Sequence, residues 1–394
     1  MRVSVASSGS SEDRYHAELL KGLLVKAGCA LSPDGIRVLA ASGLACLPLL
    51  TQEKTLLVGT FSKADMENIR EKSEEVAFLS AHNLPQIVDA VENLSHGILL
   101  DVLTETKEAV FDLPRIRENP AIGLLKIQHT HLGTWISHPI EVVMSEAKNA
   151  IADGCKELVL IGDAIRYGTE KIWRSSLPDI LKELADISGD FKVRLESCNA
   201  KDLKPVMDEI MQWMQQDKAY KHLHIPLLSG SNDLLQQMGK QHSVEDAKAL
   251  AHRFKSEFGR GTFSTEFVVG FGDETVAQFN DSLEVLGELR PEMVAVEQAS
   301  TGKIIDDRVR IIMSNFHHIL RMNNEKWLGW QGDITLFEKG ERDEWVGRNF
   351  AWKPINVKGS FMPGDRVHVQ INAIIGDSIR GEVLRSHVRH LPAF

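Results

Sequence analysis

The chain has 394 residues, 43% hydrophobic and 25% charged, with a net charge of −10. That length allows two or three domains with well-buried cores, and that charge excludes non-specific nucleic-acid binding over the whole surface while leaving room for one local patch. No apolar run approaches the roughly 20 residues of a membrane helix, and the start MRVSVASSGSSEDRYH lacks the cationic-then-apolar order of a signal peptide. A cytoplasmic location with no membrane or DNA partner is the expectation.

The first 110 residues alternate short apolar runs with helical patterns. Met1–Ala6 and Thr55–Val58 suit strands, Ala17–Ala27 an amphipathic helix ending at Gly28, and Val88–Leu94 another helix. This describes a small βα domain with a parallel sheet.

A second block covers 113–322. Its strand patterns are Ile122–Ile127, Glu157–Ile161, Lys192–Leu195, His222–Ile225, Ser264–Val269 and Met293–Val296. Helical patterns separate them at Pro139–Ala152, Leu177–Ile187, Leu203–Met214, Val244–Phe258 and Val276–Glu288. Such alternation implies a parallel sheet with right-handed crossovers, either an open curved sheet or a barrel, whose ligands sit at the carboxyl ends of the strands. From 327 to 394 the pattern changes to short strands at Asp333–Phe337, Trp352–Val357, Arg366–Ile374 and Ile379–Leu384, with turns at Lys339-Gly340, Pro363-Gly364 and Gly376-Asp377. That spacing suggests a small β-barrel. The expected class is therefore α/β: a βα domain, a partial parallel β/α barrel, and a small β-barrel at the carboxyl end.

The four cysteines, Cys29, Cys46, Cys155 and Cys198, are far apart and form no CxxC or CxxxCxxC spacing. Each sits among apolar residues or beside a strand pattern, which suits a buried small hydrophobe. No Ser-His-Asp pattern, Walker loop or HExxH string is present.

Five strings carry a resemblance. They are LPRIRENP from Leu113, ELVLIGDAIRYG from Glu157, HLHIPLLSGSNDLLQQM from His222, FVVGFGDET from Phe267, and WVGRNF, PGDRVHVQI and IRGEVL within Trp345–Leu384. In order and spacing these resemble the radical-SAM methylthiotransferases, above all the archaeal and eukaryotic branch acting on threonylcarbamoyladenosine in tRNA. The last string resembles the TRAM barrel, an RNA-binding module. The resemblance is strong from about residue 113 onward and weak before it.

The departures bear on chemistry. The family holds its catalytic cluster on a CxxxCxxC loop after the first barrel strand, and the resemblance puts His131, Trp135 and His138 at those places. Three more cysteines are expected in the first domain; the matching places are Ser10, a shortened stretch near Gly43 to Cys46, and Thr60. Further departures are Leu228 for glutamine, Glu266 for aspartate and Gly272-Asp273 for proline-glycine. A [4Fe–4S] cluster needs soft thiolate ligands, and tryptophan cannot ligate iron, so no iron–sulfur cluster is expected. Trp135 is expected to collapse into the vacated space.

The remaining candidates have two readings each. His129 and His131 share one side of a strand end and could bind a metal with His138; alternatively they are polar filling of the vacated space. Gly162 and Asp163 stand where the resemblance places contacts to the methionine amine, and Ser229-Gly230 could offer a hydroxyl and free amides to its carboxylate, making S-adenosylmethionine a possible cofactor. The plain alternative is a capped helix with Ser231 or Asn232 at its start and Asp233 in its first turn. Arg348, Lys353, Arg366 and Arg380, with Trp345, Phe350 and Trp352 among them, suit an RNA face on the last barrel. Yet residues 327–394 hold nine Lys/Arg against eight Asp/Glu, and aromatics also fill barrel cores and interfaces. Two functions follow: a pseudoenzyme binding a protein partner (an active paralogue or a larger assembly) or tRNA, and an S-adenosylmethionine-dependent enzyme with a histidine-bound metal.

Overall fold

Ser10 has extended backbone, and its hydroxyl accepts from the Asp13 N–H at 3.0 Å. That cap starts the first helix, Ser11–Lys26, a turn and a half before its apolar periodicity becomes legible at Ala17. A computed structural model describes every residue except 52, 105–112, 132–133, 164–175, 342 and 387–394; of 129–131, 134–135, 163 and 386 it describes the backbone alone. The chain divides into two compact units.

The first unit comprises 1–118 and 124–146. Five parallel strands lie in the order Ala30–Leu31, Arg2–Ser7, Ile36–Ala40, Thr55–Gly59, Val76–Ser80. Ile36–Ala40, Val76–Ser80 and the helix Lys63–Lys72 are additions to the sequence reading. Arg37 and Ser80 apart, the two strands are apolar on both faces, so they carry little period-two alternation. The helix buries only Ile69 and is set instead by a reciprocal cap between Ser62 and Asp65. After the strand Ile122–Lys126, Gln128–His131 and Thr134–Ser137 pair antiparallel, Gln128 opposite Ser137 and Thr130 opposite Trp135. The loop expected there is thus a tight hairpin.

The second unit comprises 119–123 and 147–394. All six strands of the expected barrel are present, in two three-stranded sheets. One is ordered Lys192–Ser197, Glu157–Asp163, Ile122–Lys126; the other His222–His224, Thr262–Val269, Met293–Gln298, with parallel pairing throughout the latter. The helical pattern Leu203–Met214 breaks into Ala200–Leu203, a tight turn containing Pro205, and Met207–Met214, because proline cannot donate within a helix. A long helix, Lys303–Glu325, was not legible in the sequence; its buried stripe of Ile312, Phe316 and Ile319 is narrow, and Ile304, Ile311 and Met322 lie exposed off it.

The last barrel closes in the order Gln331–Lys339, Glu344–Arg348, Pro354–Lys358, Ser378–Ser386, Arg366–Ile375. Glu344–Arg348 is the strand the sequence reading lacked. Closure comes from a parallel contact of Asn356 with Arg380, and the interior is Ile334, Leu336, Trp345, Ile355, Val367 and Val369. Among the described residues no helix is long and apolar enough to cross a membrane.

Candidate functional site

In the first unit the carboxyl ends of Arg2–Ser7, Ile36–Ala40 and Thr55–Gly59 meet at one side chain, Asp13, which is 2% exposed. The Ser8 and Ser10 hydroxyls donate to its Oδ2, Ser10 at 2.6 Å, and the Ser42 hydroxyl donates to Oδ1 at 3.2 Å. Ser42 in turn accepts from the Thr60 N–H at 3.4 Å, and the Gly43 N–H donates to the Thr60 carbonyl at 2.9 Å. The strands approach so closely here that a Cβ on Gly59 would lie 1.8 Å from the Ala41 oxygen. Ser10, Ser42-Gly43 and Thr60, scattered in sequence, are therefore one locus. Asp13 was missed by the sequence reading; the Ser-x-x-Asp spacing after a strand was the available signal.

A second polar group lies beside it in the same unit. Lys126, at the end of its strand, donates to Glu12 Oε1 at 2.6 Å and to His16 Nε2 at 3.2 Å. Burial, then the Lys126 charge, pushes His16 down to about 3, so the ring is neutral with its proton on Nδ1. His138 is 5% exposed, and its Nδ1–H donates to the Lys126 carbonyl at 2.9 Å while its backbone N–H donates to Ile127 at 2.8 Å. The side chains of His129, His131 and Trp135 lie outside the described residues, as does that of Asp163. Among the described residues no three His, Cys, Asp or Glu side chains are grouped to hold a metal.

All four cysteines are buried. Cys46, the only one near a cluster place, packs among Leu39, Leu57 and Phe78, and burial pushes its thiol up to about 11. A thiol held protonated and facing a core is no iron ligand, and the other donors at this locus are hydroxyls already given to Asp13. The residues present do not fit an iron–sulfur cluster.

In the second unit Gly162 has φ 106, a conformation reserved for glycine. Ser229 is fully buried and its hydroxyl accepts from the Ser231 N–H at 3.1 Å. The Gly230 N–H donates to Ser282 Oγ at 2.8 Å, and a Cβ on Gly230 would meet the Asp281 oxygen at 2.3 Å. The amide expected to be free is therefore committed to the fold. Ser231 caps the helix Asn232–Gln237 with Asp233 in its first turn. The backbone donor that could receive a ligand carboxylate at Gly230 is thus spent on fixing the loop.

Below this loop, the Ser264 hydroxyl bridges His222 Nε2 at 3.0 Å and His224 Nδ1 at 2.9 Å. Burial holds His224 at about 4 and His222 well below its usual value. His16, His222 and His224 are thus neutral in the folded protein, whereas the unfolded chain protonates each near pH 6.5. Their contribution to folded stability should be constant above that pH and fall as pH drops towards 4, by about 1.4 kcal/mol per unit for each histidine. Urea unfolding midpoints measured between pH 8 and 5 check this; a flat profile would show these rings accessible to protons.

The basic residues of the last barrel do not form the single exposed face expected. Lys353 is 2% exposed. Arg348 stacks over Trp352 at 4.5 Å, and Arg194 lies over the same ring at 4.2 Å. The Trp352 indole and Arg194 both donate to Glu157, at 3.2 and 2.8 Å. Arg366 pairs with Asp190 at 2.9 Å and Asp333 at 3.0 Å, and Arg380 with Glu344 at 2.5 Å. Of the aromatics, Trp345 fills the barrel core and Phe350 packs against it. Charged side chains that sequence alone places on a surface are here consumed by acids and ring faces inside the unit.

No family model matches the chain. Three archaeal proteins described as "Probable threonylcarbamoyladenosine tRNA methylthiotransferase" do. That of Methanothermobacter thermautotrophicus is 25% identical, covering 82% of each chain. That of Archaeoglobus fulgidus is 26% identical over 94% of this chain and 96% of its own. That of Methanocaldococcus jannaschii is 31% identical over about half of each, 53% and 52%. Matches of nearly full length at this identity agree with the parallel strand–helix sheets and the small closed β-barrel, and the chain is similar to the radical-SAM methylthiotransferases.

Proposed function

We propose that this chain is a cluster-free methylthiotransferase-like protein, a non-catalytic binding or regulatory subunit whose main ligand is a protein partner. The observation that carries the reading is the Asp13 locus. Three segments matching cluster-ligand places converge there, yet hydroxyls and one carboxylate occupy them. A carboxylate bonded by three hydroxyls is a structural substitute for a metal cluster: it ties the same strand ends together by hydrogen bonds. The hairpin at the place of the catalytic cluster loop supports it, since His131, Trp135 and His138 supply no thiolate. Neither an iron–sulfur cluster nor S-adenosylmethionine is required in this reading.

Anaerobic reconstitution with iron and sulfide is the test. The protein should stay colourless, with iron well below one atom per chain. About four iron atoms per chain with absorbance near 400 nm would overturn the reading, because that is the content of one cluster.

The relatives' described substrate favours tRNA as a second ligand. The protein partner is preferred because Arg366 and Arg380 are already paired with acids and the chain is net acidic. Mobility shift with bulk tRNA at about 100 mM salt separates them, since phosphate contacts give binding that falls steeply with salt. Weak or no retention is expected. Micromolar binding that vanishes in the double variant Arg348→Glu, Arg366→Glu would move the role to RNA.

A further inference from the structure

The sheet of the first unit does not end at Val76–Ser80. After that strand the helix Ile87–Ser95 carries the chain back, and Val102 forms a parallel bridge with Leu79. The Val102 N–H donates to the Phe78 carbonyl at 2.8 Å, and its own carbonyl accepts from the Ser80 N–H at 2.8 Å. Beside it, the Asp101 carboxylate accepts from the Phe78 N–H at 3.1 Å and pairs with Arg70, whose guanidinium lies over the Phe78 ring at 5.2 Å. The segment is thus tied to the sheet as its outermost strand.

Two features of that edge are unprotected. Successive residues of a strand turn their N–H and C=O groups to opposite edges. Since both groups of Val102 face the sheet, those of Asp101 and Leu103 face outward, and among the described residues neither makes a backbone hydrogen bond. Ile98, Leu99, Leu100 and Leu103 are 53%, 40%, 50% and 40% exposed. Single exposed aliphatics are ordinary, but four within six residues on a free edge are a template for another strand. Natural edges are blunted by lysine, proline or an outward charge. Here residues 97–104 read GILLDVLT, and the one charge among them is drawn in to Arg70.

The chemistry of the edge selects its occupant. No lysine or arginine lies within 97–104 to meet a phosphate, which argues against nucleic acid. An antiparallel strand pair is self-complementary about a two-fold axis: each copy offers the same donors, acceptors and aliphatic side chains to the other. The obstacle to such pairing is like charges brought face to face. With Asp101 paired to Arg70 the edge presents none, although the whole chain carries −10. The four side chains leave roughly 300 Å² of apolar surface open, the scale of a functional patch on a monomer. An interface built from this and a few backbone bonds lies at the small end for complexes, which suits a dimer that forms at micromolar concentration.

We propose that the 98–103 edge pairs antiparallel with the same edge of a second copy, joining the two sheets across a two-fold axis. The contact uses no residue of the Asp13 locus, so it stands whether or not the chain holds a cluster.

Sedimentation equilibrium of the full chain between about 1 and 100 μM is the test. The mass should rise from the 44.0 kDa of one chain to twice that and no further. Leu100→Lys with Leu103→Lys should leave a monomer at the highest concentration, with the urea midpoint and far-UV circular dichroism unchanged because both side chains are exposed. The milder pair Leu100→Ser, Leu103→Ser should weaken the dimer about tenfold. Mixing the lysine variant with Leu100→Glu, Leu103→Glu should restore it, since opposite charges then meet across the axis. Ile304→Lys, at an exposed position in the second unit, should leave the dimer intact. A monomer throughout the range, growth beyond the dimer, association that survives the lysine changes, or loss of the dimer in Ile304→Lys would each overturn the proposal. A monomer that instead floats with phosphatidylcholine vesicles would overturn it too, by assigning the leucines to a lipid surface.

Discussion

Replacing Glu157 by alanine should lower the unfolding free energy by about 3–5 kcal/mol, the cost of stripping one partner from a buried ion pair. Its side chain is 2% exposed, and that of Arg194 is 12% exposed. The guanidinium of Arg194 stays largely buried when the carboxylate goes, and Arg348 lies over the same Trp352 ring. The same change frees the Trp352 indole N–H, which adds an unsatisfied donor. Glu157→Gln keeps the shape and one acceptor and should cost less. Urea unfolding followed by tryptophan fluorescence is the measurement. A loss below about 1 kcal/mol would mean the stack is solvent-screened, as for surface pairs.

Replacing Asp13 by alanine should cost about 3–4 kcal/mol, from three hydroxyls that lose their acceptor at roughly 1 kcal/mol or more each. Ser8 and Ser10 follow one strand and Ser42 another, so the carboxylate ties two strand ends together. Asp13→Asn keeps one acceptor oxygen and replaces the other by a donating amide, so it should recover at most about half. Far-UV circular dichroism during urea unfolding reads both. If the alanine variant loses under about 1 kcal/mol, water reaches the site and the carboxylate is not what draws these strands together.

Much of this architecture was legible in the residues. The six strands of the parallel barrel and most of its helices were expected within two or three residues, because long amphipathic helices alternate with short apolar runs at a steady spacing. Elements escaped where the period was absent. Ile36–Ala40 and Val76–Ser80 are apolar but for Arg37 and Ser80, Glu344–Arg348 is short and split by glycine, and Lys303–Glu325 shows only a thin stripe of burial.

The candidate sites divide in the same way. Sequence by itself determined the family resemblance, the absence of a CxxxCxxC loop and the identity of the residues at the cluster places, since ligand chemistry depends on side-chain type alone. Only the tertiary structure decided that Ser10 and Ser42 meet at Asp13 with Thr60 bonded to Ser42, that the Gly230 amide is spent on Ser282, and that Lys353 is buried while Arg366 and Arg380 are paired. Charge and polarity are properties of a residue, but whether a charge faces water, an acid or an empty pocket depends on chain segments hundreds of positions away. That is set by packing, which no local pattern encodes.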